Sequence, residues 1–284
     1  MSFLRKLFLG TGGHLREGWK AALFLALHGL LQEIGRTLLS GVPWASGWLA
    51  RQGISLGITL LVSSLLLQAE GRTLADLGLR FGRRWGLQAL AGAALGFLLM
   101  VGAALTIRAL GGFHWEQGAG LPALGSGAWL FLVVACREEL LFRGYAFQRL
   151  VDGLGAGSAL AVGALFFAYA HWDNPGMGGA VRGWATLNIG LAGVLLGLCW
   201  LRTRSLAMPM GLHLAWNWTQ GSLLGFGVSG LRTDSCLTPV LHDRPDWLTG
   251  GAFGIEASLP CAALCALAIG GLVLWRPGPR TGAP

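Results

Sequence analysis

The chain has 284 residues, of which 54% are hydrophobic and only 12% charged, with a mean hydropathy of +0.59. A soluble domain carries roughly 25% charged residues, so the composition excludes an ordinary water-soluble fold and points to a membrane protein. The net charge of +8 would suggest a nucleic-acid partner in a soluble chain, but here the basic residues are scattered through short connections between apolar runs, and no nucleic-acid surface is expected.

In chain order, the basic start MSFLRKLFLG leads into an apolar stretch at 21–31 with no small-residue cleavage site behind it, so the segment is expected to be retained. Apolar runs of bilayer-spanning length, about 17–25 residues, are predicted at 19–39, 53–69, 86–107, 124–147, 155–172, 184–201, 206–228 and 255–275. The expected fold is all-α: a polytopic helical bundle of about eight transmembrane helices, forming one integral membrane domain over 1–284. Thirteen Lys and Arg fall on one set of alternate connections and six on the other, leaving out Arg137 and Arg143 as intrahelical. The positive-inside rule then places both termini in the cytoplasm.

Within the runs, His28 and Glu33 fit an interfacial first helix without a functional role. Gly92 with Gly96, and Gly193 with Gly197, have the small-xxx-small spacing that lets helices approach closely. The longest polar connection, 229–250, is expected to be a solvated extracytoplasmic loop. The five cysteines form no CxxC pair, so no disulfide framework or zinc knuckle is predicted; Cys261 and Cys265 read as packing residues.

An ionisable side chain at the bilayer centre costs roughly 2.5–3.5 kcal/mol, so three polar clusters stand out. In REELLFRG, Glu139 and Arg143 are four apart and share a helix face, whereas Glu138 points about 100° away and has no expected partner on its own helix. In FAYAH, Phe167 and His171 stand at i and i+4, as do His213 and Asn217 in HLAWN. Counting ~1.5 Å per residue from turns near Asp152 and Arg204 puts Glu138 about 21 Å deep, His171 about 20–25 Å, His213 about 14 Å and Asn217 about 20 Å. All four polar groups are predicted to meet inside the membrane.

The order EExxxR (Glu138, Glu139, Arg143), FxxxH (Phe167, His171) and HxxxN (His213, Asn217) resembles the CAAX-protease and bacteriocin-processing (CPBP, or Abi) intramembrane proteases, which include the Rce1-like prenyl-protein endopeptidases. The resemblance covers about residues 121–227, which it identifies as the protease core. It implies an intramembrane endopeptidase acting on a membrane-associated peptide or protein. In that reading Glu138 and His171 activate water, and His213 and Asn217 form an oxyanion hole. Glu139 and Arg143 orient the site, and Phe167 packs beside it. No cofactor is required in this mechanism. Two further readings stay open: a metal-dependent protease holding zinc through Glu138, His171 and His213, and a noncatalytic transporter or immunity scaffold with buried charges. The Arg-rich, Lys-poor, Ala/Gly/Leu-rich composition points to a bacterial inner (plasma) membrane, where relatives are associated with peptide maturation, export and self-protection against bacteriocins. Arg137 has no partner or role that its sequence context assigns.

Overall fold

The computed structural model describes residues 7–10 and 12–275. Arg5, Lys6, Arg276 and Arg280, which contribute to the argument for cytoplasmic termini, lie outside the described residues.

Each predicted apolar run falls mainly on helix: α1 Glu17–Leu38, α2 Trp48–Ala69, α3 Arg83–Ala109, α4 Pro122–Arg143, α5 Tyr145–Leu154, α6 Ala156–Ala170, α7 Val181–Thr203 and α8 Ala207–Trp218. A one-turn helix, α9 (Asp246–Thr249), and α10 (Leu259–Leu274) complete the series. Among the described residues, α2, α3 and α7 are long and apolar enough to cross a membrane, while α6 and α10 are shorter apolar helices. The molecule is mostly helical, but the described residues do not show eight full spans. The reason is that several runs are interrupted. The run 124–147 breaks at Gly144, after which α5 folds back on α1. The run 206–228 gives only twelve α-helical residues before a π-helical turn, Thr219–Leu223. Leu61, Leu65, Leu98 and Leu105 point outward on α2 and α3, as leucines facing lipid would.

The all-α expectation is also incomplete. Strands β1 (Phe113–Gln117) and β2 (Leu237–Leu241) pair antiparallel, with Phe113 opposite Leu241. The connection 229–250 is therefore no featureless solvated loop, since it carries β2 and α9. Trp115 ties the ribbon to the bundle by donating from Nε1 to the Leu224 carbonyl at 3.2 Å.

Two glycine contacts set the bundle's geometry. A Cβ at Gly92 would sit 2.0 Å from the Met208 carbonyl oxygen, and one at Gly211 would sit 2.0 Å from that of Ala89. Backbones of α3 and α8 are therefore in direct contact, which fixes the axial position of the helix carrying His213 and Asn217. The α5 helix is docked by charge. Arg149, itself buried, reaches Glu17 at 3.1 Å and Glu70 at 3.3 Å, and the Tyr145 hydroxyl donates to Glu70 at 2.6 Å. His28 is likewise structural, bonded to Thr59 at 3.1 Å across α1 and α2, and exposed Glu33 pairs with Arg36. All five cysteines are free; Cys199, Cys261 and Cys265 are buried.

Candidate active site

The end of α4 supplies two carboxylates with different surroundings. Glu139 is 0% and Arg143 2% exposed, and Arg143 Nη1 donates to Glu139 Oε1 at 3.2 Å. Arg143 also donates from Nη2 to the Gly193 carbonyl on α7 at 3.2 Å, and its guanidinium lies 4.3 Å from the centre of the Phe167 ring. The predicted Glu139–Arg143 brace is present, and Phe167 packs directly on it.

Glu139, expected to orient the site, has a second contact whose partner the sequence did not specify. Its Oε1 also accepts from His213 Nδ1 at 2.7 Å. A carboxylate cannot donate once ionised, so the proton sits on Nδ1 and the other ring nitrogen faces the cavity. His171 is fixed in the same way by a different acceptor, its Nδ1 lying 2.7 Å from the Phe167 carbonyl oxygen. His171 is the C-cap residue of α6 and lies past its helical end.

The two remaining imidazole nitrogens converge on one atom. His171 Nε2 and His213 Nε2 each lie 3.7 Å from Glu138 Oε2. That separation is too long for a direct hydrogen bond, and Oε2 is buried without a hydrogen-bond partner. The other oxygen, Oε1, accepts from Arg137 Nη2. The expectation that Glu138 has no partner on its own helix is thus corrected. Adjacent helix positions diverge by about 100°, but arginine's long stem folds back far enough to reach its neighbour.

Asn217, one turn beyond His213, lines the same cavity, and its side chain makes no hydrogen bond among the described residues. The cavity has a volume of about 630 Å³, and Glu138, His171, His213, Asn217 and Arg137 all reach it. The predicted meeting of the four polar groups is found, but their depths do not follow from the turns used to count them. Glu138 lies five residues before α4 ends at Arg143, about 8 Å along the axis, and Asp152 belongs to α5, which does not continue that helix.

Glu256 also lines this cavity and was not singled out from the sequence. It is buried, accepting from Trp216 Nε1 at 3.2 Å and from the Ser229 backbone N–H. It therefore anchors the segment after α8 to the helix that carries His213. An acid opening the run 255–275 bears the same cost that marked Glu138, so a signal was available.

Among the described residues no three His, Cys, Asp or Glu side chains form a group able to hold a metal ion. Glu138 Oε1 is taken by Arg137 and His213 Nδ1 by Glu139, which leaves Glu138 Oε2 and the two Nε2 atoms facing one another at the cavity.

Residues 120–219 match the family model described as Rce1-like, type II CAAX prenyl endopeptidase. The matched segment contains all seven motif residues, in agreement with the resemblance drawn from them. No curated protein and no solved structure matches the chain.

Proposed function

We propose that the chain is an intramembrane endopeptidase that hydrolyses a peptide bond in a membrane-associated peptide or protein, without a metal. The observation that carries this reading is the convergence of both histidine Nε2 atoms on the unpartnered Oε2 of buried Glu138. A water about 2.8 Å from Oε2 and from an imidazole nitrogen would have normal hydrogen-bond lengths. Each 3.7 Å gap from Oε2 to an imidazole Nε2 has room for such a bridge.

In the reaction, Glu138 Oε2 takes a proton from water as the water oxygen attacks the scissile carbonyl. His171, held by the Phe167 carbonyl, keeps Nε2 aimed at that water. The negative charge forming on the carbonyl oxygen is met by the Asn217 amide and by His213 in its doubly protonated form, which donates from Nε2 while its Nδ1 donates to Glu139. Glu138 then returns its proton to the leaving amine, the peptide bond breaks, and the resting carboxylate is restored. Arg137 and Arg143 compensate the two acids throughout.

The substrate class named for the family is the CAAX prenyl protein. The bacterial-type composition favours a membrane-delivered peptide over a prenylated one. We place the chain in the bacterial plasma membrane with both termini cytoplasmic, as a single domain over 1–284 with its protease core at 121–227.

The test is a trap. A Glu138→Gln variant, isolated from the membrane with its bound peptide and identified by mass spectrometry, should yield a segment that the wild type cleaves. Glu138→Ala should insert normally and show no cleavage. Wild-type-like cleavage by Glu138→Ala would overturn the assignment.

A further inference from the structure

A second cavity, of about 780 Å³, lies away from the active site where the α2–α3 connection meets the turn between α7 and α8. The two segments are joined at the Gly78 carbonyl, which accepts from Leu206 N, Ser205 Oγ and Trp85 Nε1, each at 3.2 Å. Gly78 has φ +96°, and a Cβ there would lie 2.6 Å from Ser205 Cα. Only glycine permits this approach, so the cavity is a built feature of the backbone and not a gap left by side chains.

Five arginines line the cavity against two acids, Asp76 and Asp152. Arg80 is paired with Asp76 at 3.0 Å, and Arg149 with Asp152 at 3.0 Å. Arg72 approaches Glu70 at 3.9 Å. Arg84 and Arg204 have no carboxylate partner among the described residues. The Arg204 guanidinium rests 4.8 Å from the centre of the Trp200 ring, which fixes its direction without neutralising it. Two uncompensated guanidinium groups in a polar cavity suit an anion with several acceptor oxygens, which is the chemistry of phosphate.

The surroundings indicate where that phosphate comes from. The cavity sits at the start of α3, one of the membrane-spanning candidates. Half-buried Trp85 lines it, as an indole does at the headgroup level of a bilayer, while Trp200 backs the cavity from the core. Phe81, 75% exposed, packs on Trp85 at 4.9 Å, and Leu87, 56% exposed, lies three residues beyond Arg84. An apolar outer face beside a cationic cavity fits a molecule that is charged at one end and hydrocarbon at the other.

We propose that this cavity binds the headgroup of an anionic phospholipid, with Arg84 and Arg204 on its phosphate and the outer face of α3 against an acyl chain.

The full chain, purified in detergent, would be titrated with phosphatidylglycerol and with phosphatidylcholine, and retained lipid counted by native mass spectrometry. Phosphatidylglycerol should be retained in preference, one molecule per chain. A juxtamembrane basic residue typically strengthens such binding about 5-fold, so Arg84→Gln and Arg204→Gln should each weaken it by about that factor and Arg84→Gln/Arg204→Gln by about 25-fold. If the double variant does not fold, the single variants carry the test. The Glu138→Gln variant should retain the lipid as wild type does, so failure of the protease reading leaves this result unaffected. Equal retention of the two lipids, undiminished binding by the arginine variants, or displacement by millimolar inorganic phosphate would each overturn the proposal, the last because the site would then serve a soluble phosphate.

Discussion

Replacing Arg143 by methionine keeps most of its stem volume and removes its charge, which separates what the Glu139–Arg143 pair does for folding from what it does for chemistry. Both partners are buried, at 0% and 2% exposure. Removing one member of such a pair leaves the other charge uncompensated and costs about 3–5 kcal/mol. Arg143→Met should fall in that range, since it also loses the bond to the Gly193 carbonyl and the contact over Phe167. Glu139→Gln should cost a similar amount because it strands the guanidinium. With both charges removed, Glu139→Gln/Arg143→Met has no stranded ion and should return to within ~1–2 kcal/mol of wild type, a coupling of at least ~4 kcal/mol. Reversible unfolding in mixed micelles would measure all four proteins. Activity should follow a different order. His213 Nδ1 would face a neutral amide in both Glu139 variants, so turnover should stay low, by on the order of 10²–10⁴-fold, even where stability recovers. Additive destabilisation would refute the coupling of the buried pair, and wild-type turnover by the double variant would refute the positioning role of Glu139.

Three further outcomes follow from other parts of the structure. Asn217→Ala should lower kcat by about 10²–10³-fold while leaving stability near wild type, because the side chain lines the cavity without holding any protein group; a parallel fall in melting temperature would assign it a structural role instead. Gly92→Val should not yield folded protein in detergent, since even its Cβ would meet the Met208 carbonyl oxygen at 2.0 Å; a monodisperse, active variant would contradict the α3–α8 contact. Glu70, just past the end of α2, gives a pH dependence. Burial raises its carboxyl, but the Tyr145 hydroxyl, Arg149 and Lys20 together outweigh this and hold it below the ordinary glutamate range. A depressed folded-state pKa stabilises above the unfolded value of about 4.3 and loses that contribution as pH falls through the folded value. Melting temperatures of wild type and Glu70→Gln should therefore converge under acid conditions, and a constant gap would exclude the linkage.

The helices and the meeting of Glu138, His171, His213 and Asn217 were legible in the sequence because both rest on periodicity and on the cost of placing charge among apolar residues. Other features depend on information that neither rule contains. The break at Gly144 is one glycine among 47, and nothing local separates it from glycines that continue a helix. The β1–β2 pair joins Phe113 to Leu241 across a long stretch of the chain, so neither strand shows its partner locally. Arg137 and Glu138 are adjacent, and helix geometry discounts adjacent pairs, yet side-chain length overrides that rule here.

The same geometry explains why two neighbouring acids have different tasks. Glu139 Oε1 accepts from both Arg143 and His213, and its Oε2 is buried without a partner and away from the cavity lining, so this acid holds other groups in place and does not meet the cavity. Glu138 divides its oxygens: Oε1 is neutralised by Arg137, and Oε2 faces two imidazoles across 3.7 Å gaps. Arg137 thereby keeps a charged carboxylate tolerable at the cavity wall without occupying the oxygen that the reaction uses. Had Arg137 bridged both oxygens, Oε2 would be closed to water in the way Glu139 is. The charge cluster in REELLFRG thus works as two separate ion pairs, one closed around the fold and one left half open toward the cavity.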